Sequence, residues 1–147
     1  MADDQSFLRN HAPGLAAMSL LFRPTVHDYS GAAPHGLSVD LESDEWTTLH
    51  SFNHYNAVLG RPSAGVYRLA RTLIEEAPFP EAHPVRFIHA PVQENDAHHL
   101  VSMENDPLSL PGYLSFSDSK KKRMILQYWR QISTFLGTRA GVRVYPE

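Results

Sequence analysis

Nine histidines are scattered along this chain of 147 residues: His11, His27, His35, His50, His54, His83, His89, His98 and His99. His50 and His54 are four apart, so on a helix both imidazoles point the same way, as paired helical zinc ligands do. The helical zinc-protease signature also needs a glutamate beside the first histidine. Ser51 stands there, and that mechanism is out. His98 is a candidate third ligand, with Glu104 and Asp106 further along, if the fold brings its strand beside the helix. His50, His54 and His98 therefore define a candidate site for a divalent metal such as zinc. The matching function is a small metal-dependent hydrolase built on histidine and carboxylate. The plainer reading is nine surface and boundary imidazoles. Catalysis without metal finds less support, because Ser63 and Ser109 both lack the Gly-x-Ser-x-Gly elbow that exposes a nucleophile. The chain has no cysteine, which removes disulfides, thiolate nucleophiles and cysteine-based zinc sites.

A second pattern is electrostatic. From position 117 to 147 seven Lys or Arg face two acids, whereas positions 1 to 116 hold six Lys or Arg and fourteen Asp or Glu. Lys120, Arg123, Gln127, Arg130 and Thr134 recur at alternating spacings of three and four, which lines them up on one side of a helix. Lysines and an arginine in the first turns oppose the helix dipole, and sequences that break a local rule sometimes do so for function. Lys120, Arg123 and Arg130 thus form a candidate binding surface for an acidic protein partner. The competing readings are a solvated face, lysines whose stems cover the apolar stripe, and pairing with the acidic remainder of the chain. Nucleic acid is disfavoured, since a phosphate-tracking surface shows more arginine and exposed aromatics. Tyr128 and Trp129 fall on the apolar stripe instead.

These residues need elements to hold them. The spacing of Phe7, Leu8, Leu15, Met18, Leu21 and Phe22 predicts a helix over 4–23. Strict alternation from Leu37 to Glu42 predicts a half-buried strand. Ser43 as N-cap, acids at Asp44 and Glu45 and a stop at Gly60 predict a helix carrying both His50 and His54. Val66, Leu69, Ala70, Leu73, Ile74 and Ala77 give the cleanest amphipathic pattern and predict a helix over 63–77. Strands are expected over 85–89 and 98–104, joined in antiparallel fashion. The apolar loop 107–116 is expected to pack over the core, with a short extended piece at 113–116. A final helix over 117–137 should bury Ile125, Tyr128, Trp129, Ile132, Phe135 and Leu136, and a short strand at 142–145 closes the chain.

That order lacks regular βαβ alternation. It predicts an α+β single layered domain over 1–147, with a small, mostly antiparallel sheet of about four strands against three or four helices. At 42% hydrophobic and 20% charged residues the composition is that of a globular protein. An acidic start and no apolar run approaching ~18 residues point to a cytoplasmic chain with no membrane contact. The function these features favour is a non-enzymatic binding module that uses the basic helix face, leaving oligomeric state open.

Overall fold

The computed structural model describes residues 5–11, 22–31, 33–139 and 143–145. Six strands make one sheet: β1 (Ser6–Asn10), β2 (Leu37–Leu41), β3 (Val66–Ala70), β4 (Val85–His89), β5 (His98–Met103) and β6 (Arg143–Tyr145). They lie in the order β4-β5-β2-β1-β3-β6, and every neighbouring pair is antiparallel. Helix α1 (Thr48–Asn53) runs on into a π-helical turn over His54–Val58; α2 is Arg71–Glu76 and α3 is Asp118–Arg139. The α+β class holds, with six strands in place of about four.

The two extra strands come from segments with helical spacing. Ser6–Asn10, inside the expected helix over 4–23, is the β1 strand, paired with β2 on one side and β3 on the other. Residues 12–21 of that expected helix lie outside the described residues. Phe7 and Leu8 are adjacent and both buried. A strand covered on both faces needs apolar side chains at successive positions, which erases the alternation that would have revealed it. The helix expected over 63–77 divides in the same way, into β3 and the six-residue α2. Val66 and Leu69, three apart, are both fully buried but stand on opposite faces of β3.

Register assigns the faces. Phe7, Leu37, Leu69, Val101 and Met103 share one face and form a continuous core with Ile125, Trp129, Ile132 and Leu136 of α3. These four helix residues recur at spacings of four, three and four, the stripe that the sequence predicts. The Ser117 hydroxyl caps α3 by accepting from the Lys120 backbone N–H. On the other face lie Leu8, Val66, Asp40, His98 and Leu100. Here α1 covers only part of the sheet, beside β1, β3 and β6. The loop after β5 forms two 3-10 turns, Pro107–Ser109 and Pro111–Ser115, so 113–116 is not extended. Leu108 from this loop enters the core, whereas Leu110 stays exposed.

Candidate functional site

The long helix presents its basic residues as its periodicity requires. With Ile125, Trp129 and Ile132 locked in the core, Lys120, Arg123, Gln127, Arg130 and Thr134 are all exposed. Lys120 Nζ sits 3.8 Å above the Phe116 ring, a cation–π contact that holds one charge at the start of the stripe. Arg123 and Arg130 make no ion pair among the described residues. Two acids of the remaining chain are engaged elsewhere, Glu42 on Arg68 and Asp28 beside Arg9. Lys121 is different: half-buried, it borders a small void with Tyr29, Tyr113 and Met124, as a lysine stem lying along apolar surface does.

The three histidines singled out as metal ligands separate. The N-cap of α1 falls at Thr47, four residues later than Ser43, because Ser43 and Trp46 close a turn of their own. Thr47 then caps the helix, and the His50 ring returns the bond: Nδ1 accepts from the Thr47 backbone N–H at 3.1 Å. His50 thereby takes the place that Glu or Gln holds in a capping box. His54 is buried, with Nε2 donating to the Gln93 carbonyl at 2.7 Å. His98 donates from Nδ1 to the Ala90 carbonyl at 2.7 Å. Among the described residues no three His, Asp or Glu side chains stand where they could hold one metal ion.

His54 and His98 do share a cleft of about 490 Å³ on the sheet face that α1 leaves partly open. Its floor includes Leu8 and Leu100 from β1 and β5. Asp40, at the wall, is buried and fully bonded: Ser51 Oγ donates at 2.7 Å, Asn95 Nδ2 at 2.8 Å and Trp46 Nε1 at 3.2 Å. The turn at 43–46 is what lets the Trp46 indole reach back to this carboxylate. The π-helical turn supplies His54 and Tyr55 to the same wall. Such wide turns are rare and occur often at functional sites.

A grouping of serine, histidine and aspartate also forms, on the other side of the sheet and from residues that no sequence motif joined. Ser109 Oγ is 3.0 Å from His35 Nδ1 and 3.4 Å from Asp106 Oδ2. His35 Nε2 donates to the Gly31 carbonyl at 2.9 Å, and the Tyr29 hydroxyl donates to Asp106 at 2.8 Å while accepting from Trp129 Nε1 at 3.0 Å. Burial pushes the Asp106 carboxyl above its usual range against the pull of these hydrogen bonds, and holds the Tyr29 phenol well above its own. His35 is only 2% exposed, and the nearby void of about 10 Å³, room for about one water, is bordered by neither His35 nor Ser109. This chain of bonds acts as a structural tie. It fastens the 27–35 and 106–109 loops to α3.

No protein-family model matches the chain, and no curated protein or solved structure matches it either.

Proposed function

We propose that the protein is a non-enzymatic binding module whose α3 face, through Lys120, Arg123 and Arg130, engages an acidic protein segment. One observation carries the reading. Arg123 and Arg130 stand exposed on a 22-residue helix anchored by its opposite side, with no acidic partner among the described residues. A rigid row of unpaired cations meets an acidic chain at little cost in ordering, because the helix supporting it is already fixed. Phe116 beneath Lys120 extends the surface with an aromatic edge.

Salt and charge test it. A polyglutamate peptide should bind at low ionic strength and weaken steeply between ~0.05 and ~0.5 M salt, as the screening length shrinks. The double variant Arg123→Glu/Arg130→Glu should lose at least about tenfold in affinity, or about 1.4 kcal/mol, with no change in the unfolding midpoint beyond that of ordinary surface substitutions. Equal binding by the variant and the parent would end the proposal.

A further inference from the structure

The cleft under α1 is not part of the α3 surface, and its chemistry points to a different ligand. Its volume of about 490 Å³ falls within the range of small-molecule sites. Leu8 and Leu100 line its floor, and Leu59 and Val92 stand at it 39% and 40% exposed, an unusual outlay of large apolar surface around one opening. The polar walls divide by charge. Both carboxylates are already engaged: Asp40 by three donors, and Asp28 by Thr25, the Ser38 backbone N–H and Arg9. The side chains of Arg61 and His27 make no hydrogen bond among the described residues, whereas His54 and His98 each spend one ring N–H on a backbone carbonyl. The hydroxyls of Ser38 and Tyr55 add neutral donors.

We infer that this cleft binds a small organic anion, an apolar acyl or aryl body bearing one carboxylate. The body lies over Leu8 and Leu100 with Leu59 and Val92 beside it, and the charge is met by Arg61 and His27. An anion is selected because both carboxylates on the walls have their oxygens occupied by protein donors, whereas the Arg61 guanidinium keeps its donors unused among the described residues. A cationic ligand would find no carboxylate with a vacant role. The π-helical turn is the device that builds this wall. Its bond from the Leu59 N–H to the His54 carbonyl, at 2.9 Å, skips one residue more than an α-helical bond. That widening holds His54 and Tyr55 at the opening, and Gly60, in the left-handed region at φ 64°, turns the chain so that Arg61 follows onto the same cleft.

The experiment is calorimetric titration with phenylbutanoate and with phenylbutanamide, its neutral counterpart of nearly the same shape. The carboxylate should bind at least about tenfold tighter than the amide. Arg61→Ala/His27→Ala should remove that preference while leaving the amide unchanged. Val92→Glu, which removes an apolar contact and adds a negative charge, should weaken both ligands and the carboxylate more than the amide. The α3 variant Arg123→Glu/Arg130→Glu should bind both as the parent does, which separates this site from the surface proposed above. Equal binding of acid and amide, absence of any binding, or loss of the carboxylate only in the α3 variant would each overturn the inference.

Discussion

On the α3 side of the sheet, Asp106, Ser109 and His35 are joined in a chain of hydrogen bonds that ends on Tyr29 and Trp129. On the α1 side, Asp40, Ser51 and His54 are held by bonds of the same kind and length, yet they border an open cleft. The residue types are the same and the outcome differs because of the layer above them. A helix of 22 residues covers one face with a full apolar stripe. On the other face six α-helical residues and a five-residue π turn lie beside β1, β3 and β6, with the cleft next to them. His35 has both ring nitrogens bonded by the protein, whereas His54 and His98 have one each. Titratable residues become structure where the covering layer is complete, and become available for binding where it is not.

The largest effect that tests this contrast is truncation of the two faces. Trp129 is fully buried in the α3 core, so Trp129→Ala should lower the unfolding free energy by about 3–5 kcal/mol. Arg61→Ala, on the cleft, should change it by less than about 0.5 kcal/mol. Urea unfolding of both variants checks the pair, and comparable losses would erase the distinction between a closed and an open face. Next in size is Tyr29→Phe. Removing this hydroxyl leaves Trp129 Nε1 without its acceptor and Asp106 Oδ2 without its closest donor, at a cost of about 1–3 kcal/mol. Ser51→Ala on the open side should cost less, because the Trp46 indole N–H, which loses Ser51 Oγ, keeps Asp40 as an acceptor and Asn95 still reaches Asp40. A Ser51→Ala loss exceeding that of Tyr29→Phe would show the cleft network to be the stiffer of the two.

The sequence showed the α3 face better than the α1 face, for a physical reason. A helix that packs on one side keeps a clean period, so Ile125, Trp129, Ile132 and Leu136 could be read directly, and the exposure of Arg123 and Arg130 followed. Alternation in β2 was equally readable. The central strands β1 and β3 are covered on both sides, and there Phe7-Leu8 and Val66/Leu69 imitate a helix; the β-branched and aromatic Val66-Tyr67 pair was the available hint. Of the three metal-ligand candidates, local spacing put His50 and His54 on one helix correctly but could not show that His50 serves as a cap. The Asp106–Ser109–His35 chain rests on separations of up to 74 positions, beyond any local motif. Which donors of the cleft stay unused, those of Arg61 among them, depends on which carboxylates find other partners, and only the folded arrangement decides that.

The smallest expected effect is a divergence in pH response between two groups on the closed side. Asp106 has its carboxyl raised, chiefly by burial. Between the ordinary carboxyl range and that raised value the folded protein holds more protons than the unfolded chain, so this group adds stability in acid and loses it as pH rises through the window. His99 is lowered, again chiefly by burial, with His89 and His98 adding repulsion. Between its lowered value and the ordinary imidazole range the folded protein holds fewer protons, so its contribution is complete above that window and is lost as pH falls. Asp106→Asn should therefore remove a gain toward acid, and His99→Asn should remove a loss. Thermal midpoints followed from neutral to acid pH should then cross: relative to the parent, the Asp106 variant falls behind as acid is added while the His99 variant pulls ahead. Parallel curves for the parent and both variants would mean that burial does not set the protonation of either group, and the contrast between the faces would rest on packing alone.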